Sequence, residues 1–452
     1  MNLHGPVRAA DNAGAGEATA IINFDSWTAV KVAPTIHTVR VEKPRTQITL
    51  EPVASQLKKT LVHPDRKASV GQMQFSADGT RLFVSGYPSG IVQVFDMTTG
   101  KELRRITGPR GLRSSSAYAI PSADWKTAYI AVENRKAERV VKDGKSQMVP
   151  KYTGEIRVFD LGTGEEKPAL MREGNGAVAT VALSPDAKTL IARETTSGVN
   201  EKGERTITSR VIEWDPVART HKVLYEGYAD DHRSKDGRWK AIATNDYEKL
   251  STSLKLTDTK AGKQTVLLDA EKKRVGYVLF SPDSRYLVAN VNRYGRDTGG
   301  DLLVWDLQTL KPVEAPTMKD AVLDMSYSPD GAHLAVWDHG TGTRLIDTRT
   351  WKERPLAGRG DKLQFARFAF SADGRTFAVV AVPKYDDVAR VRDPDPLDFP
   401  QPKVYLYDLT GDAPPRVMVC PQGFVVNLQF DPKGKWLAAG ASGGVWLFDV
   451  SK

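Results

Sequence analysis

Residues Val92 to Leu103 read VQVFDMTTGKEL: a short apolar run, an aromatic-Asp pair, a Thr-Gly turn and a further extended stretch. The phrase returns as IRVFDLGTGEE (Ile156 to Glu166), LVWDLQTLKP (Leu303 to Pro312) and VWLFDVSK (Val445 to Lys452). Taking the strand-end aspartate as a marker gives Asp96, Asp160, Asp215, Asp258, Asp306, Asp347, Asp408 and Asp449. Ahead of each stands a second marker, a turn of S-x-D-x type beginning at Ser76, Ser122, Ser184, Ser234, Ser281, Ser328 and Ser371, with Asp431 in the serine position of the last. Two markers in one order, eight times over at a step of about 50 residues, define a repeat protein before any local propensity is consulted.

Each unit reads as four strands: an apolar run, the S-x-D-x turn, a second apolar run, a variable loop, the strand ending in aromatic-Asp, and a fourth strand after a Thr or Gly turn. Runs of this kind, bounded by Gly, Pro, Asp and Ser, are β signals. A four-stranded antiparallel sheet cannot cover both of its faces. Sheets stacked radially cover one another, which predicts an all-β fold, a single eight-bladed β-propeller of four-stranded antiparallel sheets. Seven blades is the alternative if the fourth unit does not form a sheet of its own.

These residues resemble the WD-repeat family, in a degenerate form. The resemblance rests on Trp214-Asp215 and Trp305-Asp306, on the Phe-Asp and Tyr-Asp equivalents and on the SPDG-type turns, and covers about residues 54–452. The Gly-His pair that opens the family's repeats is missing. The family implies a propeller that serves as a binding platform for other proteins.

The last unit ends just after its third strand, which would leave an open sheet edge. QLKKTLVH (Gln56 to His63) resembles the fourth strand ELRRITG of the first unit, and Leu57 stands 18 residues before Phe75 as Leu103 stands 18 before Pro121. An N-terminal strand is therefore expected to complete the last blade. Residues 1–53 fall outside the repeat; the first twenty or so, rich in Ala and Gly, read as mobile, and WTAVKVAP and IHTVRVEKP alternate like peripheral strands.

Cys420 is the single cysteine, so no intrachain disulfide and no multi-cysteine metal site can form. The opening MNLHGPVRAADNAGAG has no apolar signal core, and no apolar run is long enough to span a bilayer; the expectation is a cytoplasmic protein with no membrane span. A net charge of +9, from 64 basic and 55 acidic residues, is a mild excess without the basic stripe of a nucleic-acid binder. The partner expected is a protein or peptide, with no cofactor.

From turn Asp to strand-end Asp the units measure 18, 36, 29, 22, 23, 17 and 35 residues in order, so the second, third and seventh carry insertions. All fall between second and third strands and so emerge on one rim, where recognition tends to sit. The second-unit insertion, Glu133 to Gly154, reads as a hairpin about Asp143-Gly144 and bears Arg135, Lys136, Arg139, Lys142, Lys145 and Lys151 against three acids. The third turns about Lys202-Gly203, with Arg205 beside it; the seventh, Pro383 to Pro402, is proline-stiffened and carries Asp386, Asp387, Arg390 and Arg392. Asp393, Asp395 and Asp398 in the same loop lack the Gly and closing Glu of an EF-type calcium loop, so a solvated loop is expected.

The fourth unit places YADDHRS where others place apolar residues in the innermost strand. Alternation sets Asp231 with Arg233 on one face and Asp230 with His232 on the other. The four are candidates either for a polar site at the channel mouth, as in a propeller hydrolase or ligand sensor, or for a local ion cluster. Gly440 to Gly444 matches G-x-S-x-G, but it joins strand to strand and no His follows it, contrary to a nucleophile elbow. With no catalytic constellation, the expected function is a non-enzymatic interaction scaffold.

Overall fold

The computed structural model describes residues 19–22, 38–41, 57–62, 69–87, 90–107, 118–142, 145–170, 176–184, 186–199, 205–226, 228–246, 249–294, 299–318, 320–338, 340–356, 363–383, 402–420, 425–441 and 443–451. Eight four-stranded antiparallel sheets follow one another, each built from sequence-consecutive strands except the last. Blade 1 comprises Ser69–Phe75, Arg81–Tyr87, Val92–Asp96 and Glu102–Ile106, from the channel outward. The fourth unit forms a complete sheet, Tyr228–Arg233, Trp239–Asp246, Ser251–Asp258 and Lys263–Glu271, which disposes of the seven-bladed alternative. Its strands have enough polar alternation to pair even where the inner one lacks apolar residues.

Blade 8 consists of Val425–Phe430, Trp436–Ala441 and Gly444–Asp449, completed by the N-terminal strand Leu57–Val62. The closure is as expected, but its register differs by one residue. Leu57 opposes Phe448 as Glu102 opposes Phe95, and Leu61 opposes Val445 as Ile106 opposes Val92. The physical reason is burial: Leu61 and Ile106 are the buried anchors of the two strands, whereas Leu103 is 50% exposed and anchors nothing. Of the residues before the ring, Thr19–Ile22 and Thr38–Val41 pair in parallel with each other; the second lies within IHTVRVEKP, and WTAVKVAP and residues 1–18 fall outside the described residues.

Hydrophobic clusters lie between blades. Phe83, Val94 and Ile106 of blade 1 pack with Ala128, Ile130 and Phe159 of blade 2; Leu428, Leu437 and Phe448 of blade 8 pack with Val380, Val404 and Leu406 of blade 7. Leu61 and Leu447 of blade 8 meet Val70, Met73 and Leu82 of blade 1, joining the two ends of the chain. Burying one such side chain contributes about 1.5–3 kcal/mol, so each joint is held chiefly by this stack. The joint between blades 3 and 4 is different in kind. Among the described residues it carries no such cluster; instead Lys240 lies 5.2 Å from the Tyr225 ring centroid, and the nearby Glu213 is bound by Thr189 and Lys222.

The S-x-D-x turns share one construction. In the seven that have serine, its hydroxyl donates to the turn aspartate at 2.5 to 2.7 Å. The same oxygen accepts from the amide five residues on, as from Arg81, Thr127 and Thr189. Asp431 replaces serine in blade 8 and accepts the Trp436 amide at 2.6 Å. The fourth turn residue has positive φ in all eight turns: Gly in five, but Trp125, Ala187 and Ser284 in the others. Only glycine takes that conformation without strain.

Two outcomes follow. Leu61→Ala is expected to cost about 2–4 kcal/mol in chemical denaturation, against less than about 0.5 kcal/mol for the exposed control Leu103→Ala; equal effects would mean that the N-terminal strand does not close the ring. Second, hydrogen bonds from the turn serines hold Asp124, Asp186, Asp236 and Asp373 below the ordinary carboxylate value, and those first from the Thr163 amide bring Asp160 to about 2. Depressed carboxylates stabilise the fold above their unfolded value, about 3.9 for Asp, and that stability is lost as pH falls through the folded value. Denaturation midpoints should therefore fall steeply between about pH 4 and pH 2.

Candidate functional site

The inner strands carry a regular irregularity. Val70 and Met73, three residues apart, both pack toward blade 8; Val178 and Val181 both pack toward blade 2, Val275 and Val278 toward blade 4, Val322 and Met325 toward blade 5, and Val425 and Leu428 toward blade 7. An unbroken strand sends residues three apart to opposite faces. Pairing with the second strand is indeed broken between these residues in each case: Val70/Met73, Val178/Thr180, Val275/Val278, Val322/Asp324 and Val425/Asn427, and likewise Phe365/Phe368 in blade 7. A bulge of this kind returns two apolar residues to the same interface and re-aims the second of the two residues between them.

That residue stands four places before the turn marker, and in the eight blades it is Gln72, Tyr118, Thr180, Asp230, Tyr277, Asp324, Arg367 and Asn427. All eight are polar or carry a hydroxyl; seven lie on the strand that borders the channel and Tyr118 immediately precedes it. The bulge also frees the backbone N–H at this position. In blade 1 the Gln72 amide donates to Ser85 Oγ at 2.9 Å, and in blade 5 the Tyr277 amide donates to Asn290 Oδ1. Gly276 is required beside Tyr277, since a Cβ there would come within 2.7 Å of Asn290 Oδ1.

The ring residues sense each other across blades. Burial pushes the Tyr277 hydroxyl up, with smaller effects from Asp324, Arg367 and Tyr118. Burial likewise raises the Asp324 carboxyl, opposed by Arg367. Arg367 sits 4.5 Å from the ring centroid of Trp337, the second-strand residue behind Asp324. Tyr118, just before the innermost strand of blade 2, and Tyr277, on that of blade 5, keep 40% and 42% of their surface exposed.

Sequence reading singled out only blade 4 of this ring. There the inner strand pairs without a bulge, from Tyr228 opposite Asn245 to Arg233 opposite Lys240, so plain alternation holds. His232 is half-buried and Arg233 exposed, on the two faces expected. Asp230 and Asp231 oppose Ala243 and Ile242, and their side chains fall outside the described residues. The other ring positions share a fixed offset of four residues from the first residue of the turn marker, which is the one sequence signal that finds them.

The insertions behave as expected where they are described. Thr127–Lys142 and Lys145–Asp160 pair over their whole length, ending at Lys142 opposite Lys145 around Asp143-Gly144. Arg139 is exposed on this hairpin, opposite Met148; the side chains of Arg135, Lys136, Lys142, Lys145 and Lys151 fall outside the described residues. Leu190–Val199 pairs with Arg205–Asp215 up to Val199 opposite Arg205, while Lys202 lies outside the described residues. So do Asp386, Asp387, Arg390 and Arg392, with the three aspartates after them. Ala441 opposes Gly444, so the G-x-S-x-G match is a hairpin connection.

On the opposite face an open cleft of about 360 Å³ between blades 6 and 7 is lined by His333, Asp347, Lys352, Glu353, Arg354 and Asp412, among others. Arg354 crosses it to the carbonyls of Leu409 and Gly411. The same clip recurs where Arg104 of blade 1 reaches the carbonyls of Leu161 and Thr163 in blade 2, and where Arg416 of blade 7 reaches Val450 of blade 8. The cleft is a blade joint.

The class of protein these sheets define is the eight-bladed β-propeller. No protein-family profile and no curated protein matches the chain. Among solved structures, Kuenenia stuttgartiensis hydrazine synthase is similar over 87% of this chain and 98% of that chain, with 12% identity and a TM-score of 0.45. Among the described residues no helix is long and apolar enough to cross a membrane, and no three metal-ligating side chains come together.

Cys420 is fully buried in the cluster between blades 7 and 8, and burial pushes its thiol up. A buried neutral thiol is inert. The folded protein should take up no thiol reagent at pH 8 and one equivalent in denaturant; rapid labelling of the native protein would contradict the packing of this joint.

Proposed function

We propose that the chain is a WD-repeat-like interaction platform, non-enzymatic, whose elaborated face takes a protein or peptide partner. The observation that carries this reading is the blade 2 hairpin. Its second strand, Thr127–Lys142, is nine residues longer than Arg81–Tyr87 in blade 1, an excess of about 30 Å at about 3.4 Å per residue. Antiparallel order puts it on the face where the blade 3 hairpin and the seventh-unit insertion also emerge. A long paired arm on a rigid ring presents a fixed surface and costs little ordering entropy on binding.

The arm's six basic residues against three acids favour a partner with an acidic surface, approached faster at low salt. Asn134 opposes Thr153 in register, so residues 135–152 can be replaced by an Asn-Gly link without disturbing the blade. The expected result is an unchanged melting transition with loss of the partner captured from the native host; Arg139→Glu with Lys142→Glu should weaken capture in the same direction. Undiminished capture by the shortened protein would overturn this reading.

A further inference from the structure

Asp324 and Arg367 hold adjacent places in the channel ring, on blades 6 and 7, and neither has an ion-pair partner among the described residues. Asp324 accepts the Met325 amide, and Arg367 rests over Trp337 with its N–H edges unused by any side chain among the described residues. A half-buried carboxylate and a guanidinium lodged against an indole each lose hydration, and the Arg367 charge offsets the burial of Asp324 only in part, so charges brought by a ligand would complete both. They have opposite neighbours. Beyond Asp324 stands Tyr277, an exposed aromatic ring; beyond Arg367 stand the amides Asn427 and Gln72.

The ring is thus polarised along its circumference, with an acid and an aromatic face on one arc, a guanidinium and two amides on the next. An ammonium group fits the first arc, held by the carboxylate and by the quadrupole of the tyrosine ring. A carboxylate fits the second, because a guanidinium offers paired donors in the geometry a carboxylate accepts. We propose that the channel ring binds a small zwitterion of the free α-amino-acid class, its ammonium toward Asp324 and Tyr277 and its carboxylate toward Arg367 and Asn427. Tyr118, exposed across the channel, supplies a surface for the ligand's side chain.

The test is calorimetric titration of the full chain with each of the common amino acids. For any that binds, the N-acetyl and carboxamide derivatives are titrated next. Binding of at least one amino acid is expected, weakened by about tenfold or more in either derivative and in Asp324→Asn and Arg367→Gln. Both substitutions keep side-chain size, and the derivatives probe the wild-type chain, so a folding defect cannot imitate the result. Binding that tolerates the carboxamide would assign the ring to a peptide N-terminus, and binding that tolerates acetylation to a peptide C-terminus; either overturns the free zwitterion. No binding by any amino acid, or binding unchanged in both variants, also overturns it.

Discussion

A β-sheet that is apolar on both faces needs a neighbour on each side, and only a closed ring supplies one to every sheet. Here closure depends on the strand Leu57–Val62, which pairs with Gly444–Asp449 and sets Leu61 among residues of blades 8 and 1. Because the closing strand and the blade it completes come from opposite ends of the chain, the last joint forms between residues nearly 400 apart. The other joints are local. Stability of the whole is tied to one long-range contact that chain order makes the most costly to form.

The same demand for burial shapes the channel. To place two apolar residues against the preceding blade within one short strand, the inner strands of six blades bulge, and the bulge turns the second of the two residues between them away from the core. A channel lined by polar side chains is therefore a by-product of core packing, repeated wherever the packing is. Blade 4 pairs without a bulge and adjoins the joint that has no apolar cluster among the described residues.

The repeat, the turns, the hairpins of blades 2 and 3 and the borrowed strand were all legible in the chain, because each is a matter of spacing. The seven serine turns hydrogen-bond alike, and the hairpin flanks meet where Asp143-Gly144 placed them. Register was less legible. Matching Leu57 to Leu103 compared letters, whereas the structure matches Leu61 to Ile106, since which leucine anchors a strand depends on what lies behind it. The polar ring was spelled out at a constant offset yet unreadable. Gln72, Thr180 and Asn427 are ordinary residues in ordinary strands until the bulge is seen.

The amino-acid sequence by itself determined the repeat, where each unit turns and which end supplies the last strand, because alternation and turn chemistry act over a few residues; that the fourth unit is a blade of its own took the sheet pairing to show. Tertiary structure alone decided which inner-strand positions the bulge turns out of the core, that Asp324 and Arg367 stand near each other without an ion pair, and that the joint between blades 3 and 4 has no apolar cluster among the described residues. Those outcomes depend on sheets packing against sheets, where a residue's direction is settled by what its neighbours on another blade can bury.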